Sequence, residues 1–127
     1  MSTGFSSEKS REQIAKAKRI VVKIGSSSLT GSAGSFLDEK AVNALVDLVV
    51  GARDRGAEVA VVSSGAIAAG LAPLGLKARP KDLATQQAAA SVGQGLLIHR
   101  YTESLARHHV TASQLSLIHI SEPTRPY

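Results

Sequence analysis

Two short apolar runs, each followed by small and hydroxyl-bearing residues, are the clearest pattern along this chain. The first covers residues 19–24 and continues into a Gly-Ser-Ser-Ser segment, and the second covers residues 57–62 and continues into Ser-Ser-Gly-Ala. Short runs of β-branched and apolar residues that are bounded by turn-forming residues are typical of buried strands. The pattern therefore predicts two strands, each ending in a loop of small residues.

The segment between the two runs has the periodicity of an amphipathic helix. Over residues 39–55, apolar side chains recur at the spacing of one helix face, namely at Val42, Leu45, Val46, Val49 and Ala52. Ser35 and Asp38 are candidate N-caps, and Gly56 is a candidate left-handed residue after the last turn. Strand, helix and strand together predict a βαβ unit, in which the two strands are parallel.

The flanking segments predict further elements. Residues 1–18 form a polar leader that is expected to be disordered, although residues 9–18 have the composition of a short helix with a thin apolar stripe. Residues 66–71 are expected to form a helix, and Asp82 is expected to cap a long helical segment over residues 83–108. Its alanine-rich first half permits close packing, although Gly93 and Gly95 weaken it as a helix. Its second half places four larger side chains on one face, those of Leu97, Ile98, Tyr101 and Leu105. Residues 110–115 are expected to begin a third strand.

Lys23 is the one charged residue in the apolar part of the first run. Because burying an unpaired ammonium costs several kcal/mol, the lysine is expected where the strand opens onto solvent or a ligand. The Gly-Ser loop that follows offers N–H and hydroxyl donors suited to phosphate oxygens. A lysine that extends to water beside a flexible Gly/Ser loop is the alternative interpretation. Parallel strands end at one edge of the sheet, where ligands of open α/β sheets bind, and this favours an anion-binding crevice.

Composition excludes several classes of protein. The 127 residues contain no cysteine, which rules out a disulfide scaffold and a cysteine-based zinc site. The net charge of +5 comes mostly from the first nineteen residues, and the aromatic content of 3% leaves nucleic-acid binding unsupported. No apolar stretch is long enough to span a membrane, and residues 1–18 lack the apolar core of a signal peptide, so a cytoplasmic protein is expected. The histidines at 99, 108 and 109 are expected at or near the surface, without a metal.

Several catalytic patterns are missing from the sequence. It contains no G-x-G-x-x-G after the first strand, no Walker A lysine and no G-x-S-x-G or H-E-x-x-H motif. Ser63 and Ser64 have no histidine nearby in the sequence to activate them as nucleophiles. We therefore interpret these serines as hydrogen-bond donors to a carboxylate or a phosphate.

Four strings of residues resemble the amino-terminal part of the amino acid kinase family: VVKIGSSSLT, VVSSGAIAAG, the loop PLGL–ARPKDLAT, and QQAAASVGQ. The resemblance runs from about Arg19 to Leu115. It is specific for the glutamate 5-kinase branch, because Ser26 follows Gly25 where aspartate and acetylglutamate kinases carry a second glycine. The resemblance implies a three-layer α/β/α sandwich with a mainly parallel sheet, of which residues 19–114 form an incomplete part.

The resemblance also implies a reaction, the ATP-dependent phosphorylation of the side-chain carboxylate of L-glutamate. Its product is glutamyl 5-phosphate, the first intermediate of proline biosynthesis, and the implied partners are ATP, Mg²⁺ and further copies in a homo-oligomer. By resemblance, Lys23 contacts the nucleotide phosphates and stabilises transition-state charge, while Gly25 and Ser26 approach those phosphates. The residues that match the family's glutamate-binding loop are Ser64, Gly65 and Ala66. No residue is assigned as a metal ligand.

The resemblance ends after Leu115. Residues 115–125, LSLIHISEPTR, match the translation of a transposase end and adaptor used to prepare sequencing libraries, so residues 115–127 are expected to be a non-native tail. The family's other glutamate contacts, second phosphate-contacting lysine and adenine pocket lie downstream, so the chain as written is expected to be inactive. The alternatives are a non-catalytic module that binds anions or amino acids, the kinase half of a bifunctional kinase and reductase, and a short reading frame without function.

Overall fold

The computed structural model describes residues 7–31 and 37–115. Its helices are α1 (Ser7–Lys16), α2 (Glu39–Asp54), α3 (Ala66–Leu71) and α4 (Leu83–Ala106), and its strands are β1 (Arg19–Ile24) and β2 (Glu58–Ser63). A 3₁₀ turn at Ser26–Ser28 follows β1. The predicted order of strand, helix, strand, helix and long helix is confirmed.

The two strands form a parallel sheet, as predicted. The register pairs Arg19 with Glu58 at one end and Ile24 with Ser63 at the other. Helix α2 connects the strands, and its N-cap is Asp38, whose carboxylate accepts a 2.9 Å hydrogen bond from the N–H of Lys40. The other candidate cap, Ser35, lies outside the described residues.

The predicted end of α2 and the predicted N-cap of α4 are both confirmed. Gly56 has φ +91°, so it closes the turn after α2 in the left-handed region that glycine adopts without strain. Asp82 caps α4 by accepting hydrogen bonds from the N–H and the hydroxyl of Thr85, at 2.8 and 2.5 Å. These two bonds, the hydroxyl first, lower the pKa of Asp82.

The core lies between one face of the sheet and the helices α2 and α4. Its buried side chains are Leu29, Val42, Val46, Val50 and Leu97. Val42 and Val46 belong to the face of α2 that the periodicity predicted, whereas Val50 was not predicted and is buried while Val49 and Ala52 are only partly buried. Ile24 from β1 and Leu105 from α4 pack against this cluster. Burial of each such aliphatic side chain contributes about 1.5–3 kcal/mol, so these contacts fix α2 and α4 against the sheet.

A polar cluster holds the second half of α4 against α2. The Ser104 side chain is 3% exposed and donates a 2.6 Å hydrogen bond to Oδ1 of Asn43. Arg107 and His108 both contact Oδ1 of Asp47, at 3.0 and 2.8 Å. The hydrogen bond from His108, followed by the charge of Arg107, lowers the pKa of Asp47. His108 is partly buried, whereas His99 and His109 are exposed, as predicted.

The leader departs from its prediction. Disorder was expected over residues 1–18, but residues Ser7–Lys16 form α1, so the expectation is wrong there and the short helix is confirmed. Helix α1 is exposed along most of its length, including Ile14. It is rich in good helix formers, with Glu8 in its first turn and Lys16 in its last, both of which complement the helix dipole. Local propensity therefore accounts for α1. Residues 1–6 lie outside the described residues.

The third strand is not formed within the described residues. After α4 the chain turns at His109, which has φ +56°, and Val110 packs against the core. Residues 111–115 then pair with neither β1 nor β2. A strand exists only through hydrogen bonds to a neighbour, and residues 111–115 contain a single residue of high strand propensity, Thr111.

The expected α/β class is confirmed, and two of the three expected layers are formed within the described residues. Ile20, Val22 and Ile24 lie on the helix-covered face of β1, and Ser63 lies on the same face of β2. The opposite face is bare, because Val21 is 66% exposed and Val62 is 52% exposed. The sheet is therefore an incomplete part of the sandwich.

We expect this bare face to drive self-association of the chain. Two exposed valines on a sheet whose outer edges are unpaired among residues 7–31 and 37–115 form an apolar surface of the kind that aggregates. The double substitution Val21→Glu and Val62→Glu places carboxylates beside Arg19 and Lys23 and is expected to lower the associated fraction several-fold. Light scattering over a concentration series measures this fraction.

Leu48→Glu is the matched control, because Leu48 is 74% exposed but lies on α2. It is expected to leave the associated fraction nearly unchanged. Equal effects of the double substitution and of Leu48→Glu would contradict the role of the bare sheet face.

Candidate functional site

The predicted site residues come together at the carboxyl edge of the sheet. The N–H of Ser64 donates a 3.0 Å hydrogen bond to the carbonyl of Ile24, and the Ser64 hydroxyl donates to the same oxygen at 3.3 Å. The loop after β2 is thereby joined to the end of β1. Gly25 and Ser64 therefore lie side by side, as the parallel arrangement predicted.

The loop after β1 is a hydrogen-bonded turn. The N–H groups of Ser28 and Leu29 donate to the carbonyls of Gly25 and Ser26, both at 3.1 Å. The Leu29 side chain is buried in the core and attaches the end of the turn to it. A Cβ on Gly25 would meet nothing within 4 Å, so the backbone at this position is open to an approaching ligand. The turn offers amide and hydroxyl groups around an accessible space.

Lys23 lies one residue before this edge. It pairs with Val62 in the register and is exposed on the bare face of the sheet. The expectation that this lysine avoids the interior is confirmed. Its contact with a nucleotide stays a prediction.

The loop after β2 leads directly into α3. Ser64 is exposed, Gly65 is buried, and Ala66 is the first residue of the helix. The carbonyl of Gly65 accepts a 2.8 Å hydrogen bond from the N–H of Ala69, which closes the first helical turn. No side chain caps this end of α3. The Ser64 hydroxyl and nearby backbone N–H groups are thus presented at the edge beside Gly25.

The position of α3 is set by backbone contact with α4. A Cβ on Gly70 would overlap the carbonyl group of Ala89, and a Cβ on Gly93 would overlap the carbonyl group of Ala66. The close packing predicted for this half of α4 is confirmed. Gly93 was expected only to weaken the helix, yet α4 runs through it without a break. Glycine is needed at position 93 because α3 occupies the space that a side chain there would fill.

Tyr101 makes a hydrogen bond that the sequence pattern did not predict. The pattern placed it on the apolar face of α4, and it does pack against the core. Its hydroxyl, however, donates a 3.3 Å hydrogen bond to Oγ of Ser63 at the end of β2. Burial raises the pKa of Tyr101, and the hydrogen bond with Ser63 opposes the shift. The sequence does show a small polar residue, Ser63, at the end of β2, but its hydrogen-bond partner lies 38 positions further along the chain.

Metal ligands are scarce at this edge. The loops over residues 25–31 and 64–66 contain no Asp or Glu. Within the described residues, no group of three or more His, Cys, Asp or Glu side chains is arranged to hold a metal ion. The same part of the chain contains no helix long and apolar enough to cross a membrane.

Comparison with known proteins gives consistent matches. The sequence profile of the amino acid kinase family matches residues 18–125. The chain is 61% identical over 115 residues to a glutamate 5-kinase from Salinispora arenicola, covering 91% of this chain and 31% of the relative. It is 57% identical over 117 residues to one from Thermobifida fusca, covering 92% and 29%. For one from Streptomyces avermitilis, the identity is 63% over 108 residues, covering 84% and 28%. The chain thus spans less than a third of the length of these relatives.

The contact between α3 and α4 is tested in a full-length hybrid, in which residues 1–114 of this chain replace the matching part of the Salinispora arenicola relative. Gly93→Ala forces α3 away from α4 and is expected to cost about 1–3 kcal/mol, as overpacking does. Urea unfolding measures the loss as a lower midpoint.

Gly95→Ala is the matched control, because a Cβ on Gly95 would meet nothing within 4 Å. Alanine is the better helix former at this exposed position, so the control is expected to gain about 0.5–1 kcal/mol. Equal midpoints for the two variants would contradict the close approach of the helices.

Proposed function

The chain belongs to the amino acid kinase family, and we propose that it is the amino-terminal part of a glutamate 5-kinase. The proposed reaction transfers the γ-phosphoryl group of ATP to the side-chain carboxylate of L-glutamate. One observation carries the proposal: the loops after β1 and β2 are joined by the bond between Ser64 and Ile24, so that both meet at the carboxyl edge of a parallel sheet. They do so in a chain whose relatives carry this name.

The loop after β1 is proposed to receive the phosphates of ATP. Gly25 leaves the backbone open, and Ser26 lies in a turn with amide and hydroxyl donors. Lys23 brings a positive charge to the same edge. Phosphoryl transfer is catalysed mainly by positioning and by neutralising the charge that develops on the phosphoryl oxygens. Lys23 is therefore proposed to stabilise this charge, while Gly25 and Ser26 orient the phosphates.

The loop after β2 is proposed to hold glutamate. The carbonyl of Ile24 already accepts a 3.0 Å bond from the Ser64 N–H, so the longer 3.3 Å bond from the Ser64 hydroxyl is the one exchanged for a substrate carboxylate. Gly65 and Ala66 add backbone N–H groups at the start of α3, where negative charge is favoured. The acceptor carboxylate would then lie beside the phosphates held by the neighbouring loop.

The chemistry needs no base from this chain. A glutamate side chain is ionised at neutral pH, so one of its carboxylate oxygens attacks the γ-phosphorus directly. A bond forms between that oxygen and phosphorus, and the bond from phosphorus to the bridging oxygen breaks. ADP leaves with the electron pair. The absence of an activating histidine or carboxylate from residues 25–31 and 64–66 is consistent with this reaction.

Mg²⁺ is proposed as the cofactor that accompanies ATP. The described loops offer hydroxyl and carbonyl oxygens but no carboxylate, so they do not form a magnesium site by themselves. A cytoplasmic homo-oligomer that binds neither nucleic acid nor membrane is proposed for the full-length protein.

The chain as written is proposed to be inactive, and residues 115–127 are proposed to derive from a sequencing adaptor. Residues 116–127 lie outside the described part of the chain, and the family profile matches as far as residue 125. Long-read resequencing across codon 114 of the source locus tests the origin of this tail. A frame that continues with kinase sequence supports an adaptor origin, and a frame that encodes LSLIHISEPTR refutes it.

Lys23→Ala tests the proposed function in the full-length hybrid. Loss of the ammonium removes charge stabilisation from the transition state, so kcat is expected to fall about 10²–10³-fold, as it does when a preorganised electrostatic contact is lost. ATP-dependent formation of glutamyl phosphate, trapped with hydroxylamine, measures the rate.

Lys18→Ala is the matched control, because Lys18 is an exposed lysine at the opposite end of β1. It is expected to keep the rate of the unsubstituted hybrid. A hybrid that phosphorylates no glutamate would refute the proposed function. An active hybrid whose rate survives Lys23→Ala would refute only the role of Lys23.

A further inference from the structure

We propose that Tyr101 is a positioning residue for glutamate, because α4 holds the loop over residues 64–66 from both sides. Tyr101 contacts Ser63 immediately before the loop, and Gly93 contacts Ala66 at its end. The inference rests on the proposed role of this loop in binding glutamate.

The first attachment is the hydroxyl contact between Tyr101 and Ser63. The 3.3 Å hydrogen bond joins residues that are 38 positions apart and both partly buried. Ser63 is the last residue of β2, and the next residue, Ser64, turns outward to the carbonyl of Ile24. The bond therefore acts on the backbone directly before the proposed substrate contact.

The second attachment is the backbone contact between α4 and α3. Because Gly93 has no Cβ, the carbonyl group of Ala66 can approach the backbone of α4. Gly70 lies one turn later on α3, and its lack of a Cβ lets the carbonyl group of Ala89 on α4 approach the backbone of α3. Gly93 and Tyr101 lie on one continuous helix, about 12 Å apart at 1.5 Å per residue. Helix α4 thus spans the loop over residues 64–66 and fixes both of its ends.

The hydroxyl of Tyr101, rather than its ring, is what this role requires. The ring packs in the core, and phenylalanine would supply that contact equally well. Without the hydroxyl, Ser63 loses its partner in a partly buried place, and the end of β2 is held less firmly. Lys23 and Gly25 belong to the other strand and loop. Glutamate binding is therefore expected to suffer while ATP binding is spared.

Steady-state kinetics of the full-length hybrid test the proposal with Tyr101→Phe. The KM for glutamate is expected to rise about 3- to 10-fold, the range that the loss of one hydrogen bond produces. The KM for ATP is expected to stay within about twofold, since the bond does not involve the phosphate loop. Thermal unfolding of each variant is recorded alongside.

Two further variants separate positioning from general stability. Thr102→Val removes the hydroxyl of the neighbouring residue, which donates to the carbonyl of Ile98 on the exposed side of α4, and is expected to leave both KM values unchanged. Ser63→Ala is expected to reproduce the effect of Tyr101→Phe, and the double variant is expected to be no worse than either single one. Ser63→Thr, which keeps a hydroxyl, is expected to retain most of the glutamate affinity.

The outcomes distinguish the two proposals. If the unsubstituted hybrid phosphorylates no glutamate, the proposed function fails and the inference fails with it. If it is active but Tyr101→Phe leaves the glutamate KM unchanged, or raises both KM values together with a lower unfolding midpoint, the proposed function stands and Tyr101 is not a positioning residue. Additive effects of Tyr101→Phe and Ser63→Ala overturn the inference as well.

Discussion

The register between β1 and β2 is the constraint on which the site depends. Successive side chains of a strand point to opposite faces, so a shift of one residue would exchange the two faces of β1. Ile20, Val22 and Ile24 would then leave the helices, and the charge of Lys23 would enter the core without a partner. That exchange is strongly disfavoured. The same register places Ser63 opposite Ile24, which sets Ser64 beside the loop after β1.

The elements that sequence reasoning predicted correctly are those fixed by local signals. The face of α2, its cap at Asp38, the left-handed Gly56 and the cap at Asp82 each depend on residues within a few positions. The edge that brings the two loops together follows from one further rule, that strands of a βαβ unit are parallel. The meeting of the two loops at one edge of the sheet is therefore predictable from the sequence.

The features that sequence reasoning missed depend on partners remote along the chain. Gly93 lowers the helical propensity of α4, and the need for glycine at this position becomes clear only from the adjacent backbone of α3. Tyr101 fits an apolar pattern, and its hydroxyl acquires a role only where β2 ends against α4. Residues 111–115 were expected to continue a strand that begins at Val110, but among the described residues they pair with neither β1 nor β2. Propensity describes the segment, whereas these outcomes are decided by what lies next to it.

The bare face of the sheet also bears on the role proposed for Lys23, because it sets how strongly water would screen the charge of that lysine. Two unit charges 4 Å apart attract by about 1 kcal/mol in water but by about 4 kcal/mol at the effective dielectric constant of a protein surface. Lys23 is exposed on the same face as Val21 and Val62, so its charge is now screened by water. Covering the two valines would remove water from around the lysine as well. A layer that covered this face, which the described residues do not supply, would therefore bury the apolar surface and strengthen the electrostatic effect of the candidate catalytic group together.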